Sequence, residues 1–250
     1  INYVNPDILA LVEVENQKVL DDLRNHLYQY KDWKIFIRPG PDIRGIDPAL
    51  MYRESRVNLV KHRYYPVFIA ERGYHSRPIM RVDLSLHDSQ DTVSVFINHW
   101  SSRRGGKTTT DPYRLYAADI LLTAVTETHQ KYPNYHIIMI GDFNDGAYDT
   151  SLKYLYKDTD IRYLEKHLPR GVHGTYYYDG EWICFDHFLI YDSISSGMSV
   201  KDVSIVAPFW IREKRTNGPL RFYKGIKILG GYSDHFPICL NLSFNRKSVE

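Results

Sequence analysis

Along much of this chain apolar and polar positions alternate with the period of a half-buried strand. Val93, Val95 and Ile97 fall on one face, against Ser94, Phe96 and Asn98 on the other. Such alternation, or a short run of β-branched and aromatic residues, predicts strands at Asp7–Val12, Lys34–Ile37, Ala49–Tyr52, Val67–Ala70 and Ile79–Leu86. The same signals predict Thr92–Asn98, His136–Ile140, Trp182–Ile190, Val200–Val206 and Ile238–Leu242. Three segments carry helical spacing instead. Asn16–Tyr30 brings Val19, Leu20, Leu23 and Leu27 to one side. Asp111–Lys131 does so with Leu115, Ala118, Leu122 and Val125, and opens with Asp111 as N-cap and Pro112 as first helical residue. Thr150–Tyr156 follows a turn at Gly146. With no fixed-period repeat and no Gly/Ser/Pro-rich linker, these elements predict a single α+β domain of two packed sheets with helices on their outer faces.

Composition narrows the class. With 43% hydrophobic and 25% charged residues the chain can bury a core, and nothing in it has the bias of a disordered tract. No run approaches the roughly 20 apolar residues a membrane-spanning helix needs. A net charge of +2 permits a polyanionic substrate without requiring one. Most of the 21 tyrosines, including Tyr176, Tyr177 and Tyr178, suit a half-buried pleated surface. Cys184 and Cys239 have neither metal-ligand spacing nor the number for a disulfide framework, so free thiols are expected. The chain opens on Ile1 rather than Met, so a further N-terminal piece is expected, with room for a signal peptide, and the compartment is left open.

The acidic residues and histidines fall repeatedly at the C-terminal ends of apolar strands, where side chains converge on one sheet edge. Glu13 ends the first such strand, while Glu15, nearer the helix start, suits the helix dipole. His99 is delivered into Ser101-Ser102-Arg103-Arg104-Gly105-Gly106, whose arginines and glycines suit anion contact better than a plain turn. Gly141-Asp142-Phe143-Asn144 presents a carboxylate and an amide two residues apart, fit to hold a water or a metal; Asp145-Gly146 reads as an ordinary turn. Asp186 lies in an aromatic strand, where a buried charge needs a partner such as histidine; His187 alternates to the other face and reads as structural. Asp234 and His235 stand between Gly230-Gly231 and a Pro237-started strand. A nucleophilic triad fits poorly, because no serine lies on a nucleophile elbow.

Taken in order, these five motifs resemble the endonuclease/exonuclease/phosphatase superfamily, the fold of pancreatic deoxyribonuclease, from Asp7 to Leu242. The resemblance implies a four-layer α/β sandwich of mostly antiparallel sheets, acting as a monomeric phosphoesterase with Mg²⁺, or with Mn²⁺ or Ca²⁺. It assigns Glu13, Asp142 and Asp234 to the metal side, Asp142 and Asn144 to the attacking water and the phosphate, and His99 and His235 to the two flanks of the phosphate. Asp186 would fix the tautomer of His235. Arg103 and Arg104 are expected to contact phosphate. The His99 loop resembles those of members labelled nucleases, so nucleic acid is the expected substrate, with Lys61, His62, Arg63, Arg72, Arg77, Arg81, Arg212, Lys214, Arg215, Arg221 and Lys224 available for a basic groove or for a solvated surface. A small phosphate ester or phospholipid is the alternative, and a non-catalytic binding module the third. In one respect the pattern is broken: the family has a further Asn on a strand before the glutamate, and Asn2 and Asn5 lie too close to Glu13 to supply it. The first strand is therefore expected to be missing from this chain.

Overall fold

The computed structural model describes residues 1–42, 44–69, 73–89, 91–191 and 197–244. Strand β1 (Ile8–Val14) leads into α1 (Gln17–Asn25), capped by the Asn16 side chain, which accepts a hydrogen bond from the Val19 amide at 3.1 Å. The helix stops well before Tyr30: Gln29 sits in the left-handed region at φ 53° and a short 3₁₀ turn follows. Next come β2 (Trp33–Ile37), β3 (Asp47–Arg53) and β4 (Val57–Tyr65). The last of these escaped the sequence reading because it is an edge strand, with Asn58, Lys61, His62 and Arg63 exposed on it. The hairpin β5 (Phe68–Ile69) and β6 (Tyr74–His75) replaces the expected strand Val67–Ala70, of which Ala70 lies outside the described residues. Strands β7 (Ile79–Leu86) and β8 (Thr92–His99) then lead to α2 (Lys107–Lys131), β9 (His136–Asp142), α3 (Thr150–Tyr156) and β10 (Ile161–Tyr163). The remainder is β11 (Tyr176–Tyr178), β12 (Glu181–Ile183), β13 (Asp186–Tyr191), β14 (Met198–Ile205), β15 (Tyr223–Lys224), β16 (Lys227–Ile228) and β17 (Ile238–Phe244).

Two boundaries differ instructively from the expectation. Helix α2 begins a turn before Asp111, so Asp111 is not its N-cap and Pro112 lies inside it. Asp111 instead binds Lys107 and Arg114, and Arg114 reaches back to the Lys107 carbonyl at 3.3 Å, holding the extra turn in place. The expected strand Trp182–Ile190 is two strands. Thr175 Oγ1 accepts from the amides of Phe185 and Asp186 at 3.1 and 3.3 Å, and this side-chain bond interrupts the ladder between β12 and β13.

Six strands form the main sheet, in the order β10-β13-β9-β8-β7-β4, antiparallel except for the parallel pair β8–β9. The period-2 pattern is used on both faces. Met80, Val82, Leu84, Val93, Val95 and Ile97 point into the core between sheets, while Ile79 and Phe96 meet Ala117, Ala118 and Leu121 of α2. The opposing layer is β1-β3-β2 together with the separate pair β14-β17. Helix α1 covers its outer face through Leu20, against Trp33, Ala49 and Met51. The layers are therefore helix, sheet, sheet, helix, as expected. Strands β1 and β17 share no ladder; between them lies a cavity of about 1210 Å³, bordered by consecutive residues of both strands and lined by Val95, Ile138, Ile140 and Phe188.

The end of β9 depends on Gly141. Its φ is +138°, and a Cβ there would lie 1.9 Å from the Asn98 carbonyl oxygen on the adjacent strand. Gly141→Ala should therefore cost about 3 kcal/mol or more of folding stability, from backbone strain plus the clash. Urea unfolding measures it, and an alanine variant within 1 kcal/mol of wild type, roughly the effect of an ordinary substitution, would contradict this account.

Candidate active site

Register alone assembles the centre of the site. In the β8–β9 ladder His99 pairs with Asp142, and in the β9–β13 ladder Asp142 pairs with Asp186. Three chemically active side chains thus end three adjacent strands at one level. Glu13 joins them from the other sheet. It occupies a register irregularity of β1 between Leu11 and Val14, in the left-handed region at φ 59°, and its Oε1 comes 3.8 Å from His99 Nε2. Asp142 Oδ2 lies 3.8 Å from that same nitrogen.

Asn144 is also left-handed, at φ 51°, a conformation asparagine tolerates better than most residues. The turn folds its backbone and amide onto Asp142: Asn144 N donates to Oδ1 at 2.8 Å and Nδ2 to Oδ2 at 3.0 Å, while Nδ2 also reaches the Trp100 carbonyl at 3.1 Å. His235 arrives through an isolated bridge to Tyr176 and a hydrogen bond from Phe236 N to the Thr175 carbonyl at 2.7 Å. Its Nδ1 donates to Asp186 Oδ2 at 2.8 Å. The partner expected for the buried Asp186 is therefore in place. His187 takes the structural position expected of it, buried and bonded to the Asp145 carbonyl at 2.8 Å.

Other expectations are corrected. Asp145 is no ordinary turn residue: it is buried and ion-paired at 2.9 Å with both Arg103 and Arg114. Arg103 also donates from Nε to the Asn144 carbonyl at 2.9 Å and from Nη2 to Asp149, so it braces the Asp142–Asn144 turn. Arg104 is exposed on the same loop. Asp234 turns toward Arg221 at 3.8 Å and lies outside the cluster of Asp142, Asp186 and His235, whose ligand atoms lie within 4.8 Å of one another. Arg77 and Arg81 are buried and internally bonded, so neither lines a basic groove. Sequence reasoning missed Asp42 and Arg44 altogether; the only signal was a carboxylate and an arginine two residues apart in a Pro/Gly-rich loop.

The electrostatics divide the two histidines. Burial lowers the proton affinity of His99, and the Arg77 and Arg44 charges lower it further, so this imidazole is neutral. Its Nδ1 is buried with no hydrogen-bond partner among the described residues, while Nε2 faces the Glu13 and Asp142 carboxylates at 3.8 Å, which favours the N–H on that side. Burial acts on His235 in the same sense, but Asp186, then Asp142, outweigh it and raise its pKa to about 10. Asp186 is pushed up by burial yet held below the usual carboxylate range by His235. Asp142 is pushed well above that range by burial and by Asp186, despite His235.

Comparison places this arrangement. The endonuclease/exonuclease/phosphatase family model matches residues 2–244. The chain belongs to that family. Among solved structures the fold is similar to a mannosyl-6-phosphatase of Bacteroides thetaiotaomicron, with TM-score 0.70 and 18% identity over 97% of this chain and 87% of that one. It is also similar to the human Nocturnin catalytic domain with bound sulfate, with TM-score 0.66 and 16% identity over 97% and 83%. A third is D. rerio TDP2 complexed with a single-strand DNA product, with TM-score 0.67 and 14% identity over 96% and 87%. At these identities the likeness is one of fold. No curated protein sequence matches.

The charge division carries a signature in stability. The folded pKa of His235, about 10, lies above the 6.5 of a free histidine, so its contribution is fully present below pH 6.5 and is lost as pH rises toward 10. With chelator present, urea-derived stability should fall across that window in wild type and stay nearly flat in Asp186→Asn. Equal slopes in the two proteins would show that the pair does not hold the proton.

Proposed function

We propose that this protein is a divalent-metal-dependent phosphoesterase in which water attacks phosphorus between His99 and His235. The observation that carries the reading is the convergence of His99, Asp142, Asp186 and His235 at one sheet edge, with the electrostatics favouring charge on His235 and not on His99. Family members hydrolyse phosphate esters and are generally divalent-metal-dependent. The donor set here fits such an ion. Magnesium prefers one or two carboxylates and retained waters, and Glu13, 57% exposed at the open side of the site, together with Asp142 offers this better than a closed cage would. An ion held there would neutralise Asp142 and offset charge growing on the phosphoryl oxygens. Mg²⁺ is the natural candidate, with Mn²⁺ or Ca²⁺ as the alternatives.

The protein's own groups supply the rest. Asp142, ionised once an ion is held beside it, is suited to orient the attacking water. Asn144 fixes that carboxylate through two hydrogen bonds. His235 carries its charge on an imidazolium held by Asp186 and presents Nε2 to a phosphate oxygen or to the leaving group. His99 donates from Nε2 as a neutral group, adding a hydrogen bond without repelling His235.

The substrate reading shifts with the structure. Arg77 and Arg81 are engaged internally, which leaves fewer arginines for a basic groove and supports a compact phosphate ester. One feature speaks for nucleic acid: beside His235, Arg221 lies 5.0 Å over Tyr176, with Tyr178 and Tyr232 exposed, a rim on which a base or sugar could stack.

A panel of sugar phosphates, inositol phosphates, sphingomyelin, plasmid, single-stranded DNA and RNA, run with Mg²⁺ and with chelator, tests the proposal. Hydrolysis of a compact ester that chelator abolishes is expected, with His235→Gln lowering kcat by roughly 10²- to 10⁴-fold. No turnover on any substrate, or turnover indifferent to chelator, would refute it.

A further inference from the structure

The site is rich in carboxylates, with Glu13, Asp142 and Asp186 gathered around it, yet its ligand on the reading above is an anion. Arg103 does little to offset them, because its charge is already paired with Asp145 and Asp149. We propose that Arg44, in the loop between β2 and β3, is the residue that receives the substrate's phosphoryl oxygens, gripping two of them with the free end of its guanidinium. The inference rests on the phosphoesterase reading and adds the residue that reads the substrate's anion.

Arg44 is built as a fixed donor rather than a loose surface cation. Its Nε and Nη2 donate to the two oxygens of Asp42 at 3.1 and 2.9 Å, and its amide to Oδ1 at 2.8 Å. This side-on clamp occupies one edge of the guanidinium. The other edge, Nη1 with the second hydrogen of Nη2, has no protein partner among the described residues, and the side chain is 52% exposed. Two parallel N–H groups on a planar fork match two oxygens of a phosphoryl group.

Asp42 is held from behind as well. Arg77, buried, donates to Asp42 Oδ2 at 3.1 Å, to the His99 carbonyl at 3.0 Å and to the Trp100 carbonyl. A continuous chain therefore runs from the Arg44 guanidinium through Asp42 and Arg77 to the backbone that carries His99, and ties the cation to the imidazole. One carboxylate between two guanidiniums leaves a net positive charge. Since Arg77 is the buried member, the uncompensated charge lies with Arg44 on the open side. That chain, ending on the His99 and Trp100 carbonyls, sets Arg44 beside the end of β8 that carries His99 into the site.

The test uses inorganic phosphate as the probe. Binding is measured by titration calorimetry with Mg²⁺ present for wild type, Arg44→Gln and Arg44→Lys, alongside KM, kcat and Tm for each. A lost charge-assisted pair predicts roughly tenfold to hundredfold weaker phosphate binding in Arg44→Gln, and a KM raised by a similar factor, with kcat falling less. Arg44→Lys keeps the charge but loses the fork and should lie between. Unchanged phosphate affinity and KM in Arg44→Gln would overturn the assignment, as would a loss of kcat alone. If Arg44→Gln folds poorly, Arg44→Lys decides on the same readouts: weakened phosphate binding at wild-type Tm supports the site, and unchanged binding overturns it. Wild type that binds phosphate through Arg44 but hydrolyses no ester would refute the phosphoesterase reading and leave the site standing. Wild type that hydrolyses an ester while Arg44→Gln behaves identically would do the reverse.

Discussion

Asp142 and Asp186 sit opposite each other on one rung of the β9–β13 ladder, and most of the site is arranged around the cost of that pairing. Two carboxylates at such a distance from water cannot both ionise unless positive charge is supplied. His235 supplies it to Asp186 at 2.8 Å, and Asp142 is left with an unmet demand for a cation. With no ion the carboxyl group holds its proton more tightly than a free carboxylic acid, and on the metal-dependent reading proposed above an ion would displace that proton and leave the charged, oriented group.

Everything nearby holds this imbalance in position. Gly141 allows β9 to approach Asn98, Asn144 turns back onto Asp142, and Arg103 with Arg114 clamps Asp145 just beyond. On the far side Arg77 ties the His99 main chain to Asp42. The arginines therefore work mainly on the frame. Burial, with the Arg77 and Arg44 charges, keeps His99 neutral, so that His99 and His235 do not both carry a positive charge. Each cation thus has a mechanical and an electrostatic consequence, and the second follows from the first, because a buried guanidinium lowers the proton affinity of whatever imidazole it supports.

Strand ends were legible in the sequence because a period-2 run that stops at a polar residue marks the sheet edge. His99 and Asp142 fall at such ends, and the ladders put them beside Asp186, which opens β13 instead of lying inside the one long strand expected there. The Asp186–His235 pair was legible for a different reason: a carboxylate in an aromatic strand must have a partner. Arginine roles were not legible. Nothing in the Arg103-Arg104 dipeptide distinguishes a residue clamped to Asp145 from one open to solvent, since the clamp depends on a turn some forty positions away. Nor does adjacency to His235 in the chain tell which way Asp234 points: it turns toward Arg221. Strand β4 was missed because an edge strand protects itself with the very charges that erase its pattern.

The central claim is the division of protons between His99 and His235, and ¹⁵N NMR of histidine-labelled protein in chelator reads it directly. At pH 8 the account predicts one imidazole with both nitrogens protonated, assigned to His235 by its loss in His235→Gln, and a neutral His99 with its proton on Nε2. Two neutral imidazoles at pH 8, or a His235 that titrates near pH 6.5, would contradict it.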